Sequence, residues 1–154
     1  MVTLAFDSST LIEVMRGRDA QVQSAFMTLD VERTPIVASV LVLHELLSGA
    51  ASSSNPTGER GKIERVLSEV DIIPLIEEDV EATAKVRSSL RLQGRPIGDV
   101  DVLIAGQALA RGWTVVTRNV RHFGRVEGLP IIDWSVGTEP LSIEVIRSRV
   151  EAAI

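Results

Sequence analysis

The sequence predicts an α/β domain with a mostly parallel central sheet flanked by helices, and three observations carry that expectation. Short apolar runs of strand length recur along the chain, helical segments with start and stop residues separate them, and carboxylates or amides stand where several of the runs end. Ligands of such sheets gather beyond the carboxyl ends of the strands, so the residues at those ends are the first candidates for chemistry. At 154 residues the simplest organisation is one domain over residues 1–154 with a single core, and the chain shows no internal repeat.

The elements follow in order. Val2 to Phe6 reads as a short buried strand, ended by Asp7, and Ser8, Ser9 and Thr10 offer cap chemistry before a helix over Leu11 to Arg16 that Gly17 closes. Ala20 to Leu29 reads as a second helix before the Thr34-Pro35 break. Ile36 to Ala38 is a strand candidate, and Ser39 can cap a helix that runs to Ser48 and stops at Gly49. On that helix His44, Glu45 and Ser48 share a polar arc, which turns Glu45 away from most core contacts. Ala50 to Gly61, rich in Ser, Gly, Asn and Pro, reads as a mobile surface loop.

Lys62 to Ser68 is expected to be helical, Ile72 to Leu75 a strand, and Val80 to Leu92 a helix that ends before Gln93-Gly94-Arg95-Pro96. The next helix starts near Asp99 or Val100, carries Asp101, Ile104, Ala105 and Ala108 on one face, and stops at Gly112. Thr114 to Val116 and Ile131-Ile132 supply the last strands, and residues 141–154 have the apolar spacing of a terminal helix.

Composition removes several function classes. The absence of cysteine excludes thiol nucleophiles, CxxC redox pairs and thiolate metal sites, and two histidines alone cannot close a zinc shell. Any metal site here is therefore expected to be oxygen-lined. No apolar run approaches the roughly 20 residues that span a bilayer, and none resembles a secretory leader, so the expectation is a cytoplasmic protein without a membrane role. The net charge of −5 argues against a general basic coat, yet residues 85–125 hold eight Lys and Arg against Asp99 and Asp101. An anionic substrate on one face and a basic partner on another fit that asymmetry. The five aromatic residues, Phe6, Phe26, Phe123, Trp113 and Trp134, suit packing better than base stacking.

Four stretches carry the chemistry: FDSS at Phe6–Ser9, HELLSG at His44–Gly49, GDVDVLIA at Gly98–Ala105 and VTRN at Val116–Asn119. If the fold brings Asp7, Glu45, Asp99 and Asp101 together, their mutual repulsion drives protonation unless a cation offsets it. Mg²⁺ or Mn²⁺ suits such a cluster because it takes one or two carboxylates and keeps waters. Phosphodiester hydrolysis suits the metal, which can activate water and offset charge on phosphoryl oxygens without a side-chain nucleophile. Singly, each acid is as well explained by capping or by solvent. Thr117 and Asn119 can orient water or phosphate, Arg118, Arg121 and Arg125 can steer phosphate, and His122 can add an acid/base group; each also has an ordinary structural reading.

In order and spacing, FDSS, ELLSG, GDVDVLIA and VTRNVRHF resemble the PIN-domain family, especially the VapC-type toxins of type II toxin–antitoxin pairs, over residues 2–134. The resemblance implies a single PIN-like domain in which Asp7, Glu45 and Asp101 match the three leading acids. It implies Asp99 as an additional nearby acid, and Asn119 at a position where relatives carry Asp or Asn. It further implies a Mg²⁺-dependent (or Mn²⁺-dependent) ribonuclease acting on RNA, held inactive by a cognate antitoxin, frequently a homodimer, and meeting DNA only through that antitoxin. A basic antitoxin segment that neutralises the acidic pocket or inserts an arginine into it is the expected inhibitor. The alternative is a FitB-like PIN protein acting mainly as a non-catalytic partner in a DNA-bound complex. Two other aspartate-based families fit poorly: a haloacid-dehalogenase-like phosphatase would carry Asp where Ser9 stands, and a receiver-like domain would carry Lys where Arg118 stands.

Overall fold

Five very short strands, each of two to four mostly apolar residues, form the centre of the molecule: β1 (Leu4–Phe6), β2 (Ile36–Ser39), β3 (Asp71–Ile73), β4 (Thr114–Val116) and β5 (Ile131–Ile132). The computed structural model describes residues 1–152. All four pairings are parallel, in the order β3-β2-β1-β4-β5. Every residue of β1, β2, β4 and β5 is buried, as expected of parallel strands covered on both faces. The chain moves outward from β1 through β2 to β3, then crosses to the other side of β1 for β4 and β5, so the topological switch lies between β1 and β4. The register pairs Phe6 with Val116, which sets Asp7 and Thr117 side by side just beyond the sheet.

Among the described residues eight helices surround the sheet: α1 (Ser8–Arg16), α2 (Ala20–Met27), α3 (Val40–Ala51), α4 (Pro56–Val66), α5 (Glu77–Leu92), α6 (Asp99–Arg111), α7 (Val120–Phe123) and α8 (Ile143–Glu151). Their ends follow local chemistry. Asp19, Ser39, Asn55 and Ser142 accept backbone N–H bonds at helix starts, while Gly17 and Gly112 close α1 and α6 at φ of 66° and 68°.

Three points differ from the sequence expectation. First, α1 begins at Ser8, so the three hydroxyl residues form its first turn and Asp7 holds the cap position. Second, α3 passes through Gly49 to Ala51; Gly49 is exposed, and the ~1 kcal/mol that a helical glycine costs is too little to end a helix whose Val42, Leu46 and Ala50 are buried. Third, most of the supposed loop from Ala50 to Gly61 is helical. Asn55 accepts the Gly58 N–H at 3.2 Å and Pro56 occupies the first helical turn, so only residues 52–55 connect α3 to α4.

Packing beyond the sheet depends on two close approaches at glycine. A Cβ on Gly106 of α6 would lie 2.5 Å from Thr83 Cα of α5, and one on Gly124 would lie 2.5 Å from the Val120 carbonyl and 2.9 Å from methyls of Ile146 and Val150. The second approach docks α8, and Arg149 fixes it further with a 2.9 Å bond to the buried Asp133. The terminal helix expected over 141–154 is thus bound to the core through Ile146 and Val150; its last two residues lie outside the described residues. On the α5–α6 side, Arg111 donates Nε and Nη2 to the two oxygens of buried Asp79 at 2.9 and 3.0 Å. The aromatics pack as expected: Phe6 meets Phe26 and Trp134 at centroid distances of 6.0 and 5.2 Å. Among the described residues no helix is long and apolar enough to cross a membrane.

Candidate active site

The site grows from the switch point. Asp7 leaves the end of β1 with extended backbone, its N–H donating to the Val116 carbonyl at 3.0 Å, and it makes no side-chain capping bond to α1. Its carboxylate is 3 % exposed and is held instead by hydroxyls. Ser9 Oγ and Thr117 Oγ1 each donate to Oδ2 at 2.9 Å. Thr117, itself fully buried, accepts the Asn119 N–H at 2.9 Å, and Ser9 Oγ accepts the Arg118 N–H at 3.1 Å. The turn after β4 is therefore bonded through two hydroxyls to the acid after β1. The sequence suggests a cap role for Ser9 and, for Thr117, either an ordinary turn role or the orienting of water or phosphate, whereas here both hydroxyls bond Asp7.

Glu45 arrives from the middle of α3. It is half-buried on the same side as Val42 and Leu46, while His44 and Ser48 of its polar arc are exposed, so Glu45 turns toward the core and not away from it. Its Oε1 is buried without a hydrogen-bond partner among the described residues. Asp101 enters from the first turn of α6, where an acid suits the helix dipole, and its Oδ2 lies 2.9 Å from His122 Nδ1.

The three acids feel one another. Burial pushes the Asp7 carboxyl above the ordinary aspartate range against the pull of the Thr117 and Ser9 hydroxyls, and the Asp101 charge pushes the same way. Burial likewise raises Glu45, followed by the charges of Asp7 and then Asp101, with the Ser8 hydroxyl opposing. Three acids whose charges bear on one another in a partly dry site, one with an orphaned oxygen, are a donor set suited to a hard divalent cation. Among the described residues no three acidic or histidine side chains already close around a common point. The set therefore fits an ion that keeps part of its water shell better than a closed protein cage.

The remaining candidates fall elsewhere. Asp99 is exposed and pairs with Arg87 at 2.9 Å, apart from the three coupled acids. Asn119 sits at the start of α7, its N–H committed to Thr117. The Arg118 side chain turns to buried Glu13 at 2.8 Å, Arg121 is exposed, and Arg125 donates to the Pro96 carbonyl at 2.9 Å. Beside Glu45, a groove of about 500 Å³ opens between α1, α3 and α4, with Arg16, Arg18 and Lys62 among its lining residues.

The model of one family, the PIN domain, matches residues 4–129. The chain belongs to the PIN-domain family. It is 33 % identical over 135 residues to the tRNA(fMet)-specific endonuclease VapC of Shigella flexneri, covering 88 % of this chain and all of that relative. Among solved structures, it is similar to VapBC2 from Rickettsia felis bound to a promoter DNA fragment, with a TM-score of 0.81, 25 % identity and coverage of 86 % of this chain and 99 % of that one. DNA-bound VapBC from Salmonella typhimurium matches with a TM-score of 0.78 and 30 % identity over 87 % of this chain and 99 % of that one. The PIN-domain resemblance and the α/β fold expected from the sequence both hold, with the sheet wholly parallel.

Proposed function

We propose that the protein is a divalent-metal-dependent endoribonuclease toxin of the VapC type. The single observation that carries the proposal is Asp7, buried at the switch point, gripped by Ser9 and Thr117 and sharing its site with Glu45 and Asp101. Asp7, Asp101 and Glu45 would hold Mg²⁺ or Mn²⁺, and the bound ion would supply an activated water and charge neutralisation at the scissile phosphate. The chain's own residues have distinct duties. Ser9 and Thr117 fix the Asp7 carboxylate, Glu45 keeps a buried oxygen free, and Arg16 and Arg18 in the lining of the adjacent groove would draw in a polyanion, Lys62 there being paired with Glu59 at 3.0 Å. Asn119, bonded through its N–H to Thr117, and Asp99, paired with Arg87 apart from the three acids, would assist only through water or phosphate contacts.

The name of the Shigella relative makes an initiator-type transfer RNA the first substrate to test. The VapBC neighbours support a cognate antitoxin as partner, through which the protein would meet operator DNA, and assembly as a homodimer in the cytoplasm completes the proposal. The FitB-like non-catalytic role is less favoured, because relatives at 30 % identity and above are named as endonucleases or ribonucleases.

Cleavage of a mixed RNA pool containing initiator transfer RNA, by antitoxin-free protein with and without Mg²⁺ or Mn²⁺, tests the proposal. The expected result is metal-dependent cleavage that Asp7→Asn abolishes. Metal-independent cleavage that persists in Asp7→Asn would remove the mechanism.

A further inference from the structure

Among the described residues, the histidine of the VTRNVRHF stretch is the ionisable side chain that hydrogen-bonds an acid of the site. His122 Nδ1 lies 2.9 Å from Asp101 Oδ2, and both side chains are partly shielded, at 35 % and 18 % exposure. The ring sits on a rigid mount. α7 is a single turn whose Val120 and Phe123 are fully buried, and the Asn119 carbonyl accepts both the His122 and Phe123 N–H groups, at 3.1 and 3.2 Å. Behind it, Gly124 lets α8 close against the turn, so that any Cβ there would meet Ile146 and Val150. Asp101 belongs to a different element, α6, and its carboxylate would otherwise be free to rotate in the first turn of that helix.

We infer that His122 is a positioning residue that clamps Asp101 through Nδ1, holding one carboxylate oxygen so that the other is presented to the site shared with Asp7 and Glu45. The inference rests on the metal-site reading above and adds a residue to it. A neighbour that orients a metal-binding carboxylate typically changes metal affinity by roughly 10–100-fold. The bond to the carboxylate requires only an N–H donor at the Nδ1 position, which an asparagine amide also supplies.

Mn²⁺ binding to the antitoxin-free protein, followed by the loss of the free-ion paramagnetic resonance signal, tests the inference in wild type, His122→Leu, His122→Ala, His122→Asn and Asp7→Asn. Thermal melts identify which variants fold, and His122→Ala replaces His122→Leu if the larger side chain does not. The expected result is Mn²⁺ binding weakened about 10–100-fold in the Leu and Ala variants and restored to within a few-fold of wild type in His122→Asn. Wild-type affinity in folded His122→Leu or His122→Ala, with binding still lost in Asp7→Asn, would overturn the positioning role alone. Equal weakening in His122→Asn and His122→Ala would also overturn it, because the ring's bulk and not its nitrogen would then be responsible. Absence of Mn²⁺ binding in the wild type would overturn the metal reading and this inference together.

Discussion

Thr117→Val is the substitution that best separates a bonded active-site acid from a merely buried one. Valine matches threonine in shape, so the fully buried site keeps its packing and loses one hydroxyl. That hydroxyl donates to Asp7 Oδ2 at 2.9 Å and accepts the Asn119 N–H at 2.9 Å. A hydrogen bond to a charged group contributes about 1.5–3 kcal/mol, and an orphaned N–H costs about 1–3 kcal/mol where it stays dry. Ser9 still donates to Asp7 and Asn119 is only partly buried, so the total should lie near the lower end, about 3 kcal/mol at pH 7. For a chain of this size that is a fall in Tm of roughly 6–12 °C. The pH dependence gives the sharper test. The Thr117 bond holds the Asp7 pKa down against burial, so the variant's folded-state pKa lies above that of the wild type, itself raised above 3.8. The variant therefore binds more protons when folded, and its deficit grows as pH rises through those two folded values and shrinks again on acidification. Calorimetric melts from pH 4 to 8, with Thr117→Ser as the control that restores the hydroxyl, measure it. A deficit under about 2 °C at pH 7, or one independent of pH, would refute the reasoning.

Three further outcomes are expected. Asp7→Asn should raise the stability of metal-free protein by about 1 kcal/mol, a Tm gain of roughly 2–4 °C at neutral pH, because a carboxyl whose pKa is raised on folding costs stability above that pKa; melts at pH 7 and pH 4 should show the gain only at pH 7. Asp79→Ala should cost about 2–3 kcal/mol in urea unfolding at pH 7, because it leaves Arg111 without its bidentate partner. The Asp79 pKa is lowered by that arginine, so the deficit should fade as pH drops below 3.8 through the folded value. Gly124→Ala should lower stability by about 1–3 kcal/mol through its clash with the Val120 carbonyl and the α8 methyls, and amide exchange should show α8 opening first.

What the sequence made legible follows from how directly each signal is local. Asp7 and Thr117 each follow an apolar run, and in a parallel sheet the residues after adjacent strands become neighbours, so their meeting needed only the correct strand order. Glu45 was harder. Helical spacing places His44, Glu45 and Ser48 on one arc, but it does not say where that arc faces, and the burial of Val42 and Leu46 on either side turns Glu45 inward. The helix α4 was hidden by composition: Ala50 to Gly61 reads as loop by content, although Asn55 before Pro56 is itself a helix start. The sequence offered His122 as an acid/base group, but its contact with Asp101 had no local signal. Its partner is 21 positions away on another helix, and a single histidine carries no periodicity to betray such a contact.

The acids that the fold shields from water are treated in two different ways. Glu13, Asp79 and Asp133 are all buried, and each is answered by an arginine at 2.8–3.0 Å: Arg118, Arg111 and Arg149. That is the usual condition for keeping a charge out of water. Asp7 is equally buried, yet among the described residues it has only hydroxyl donors; Glu45 has an oxygen with no donor, and Asp101 has a histidine. A chain with 16 Lys and Arg does not lack cations to place there. Arg118 is the telling case, since its backbone N–H bonds Ser9 at the edge of the site while its guanidinium turns away to Glu13. An arginine of the chain among the three acids would neutralise them permanently and occupy the space a divalent ion needs. Leaving them unpaired costs stability and leaves the positive charge to be supplied from outside the chain; on the function proposed above, a divalent metal or a basic antitoxin segment would supply it.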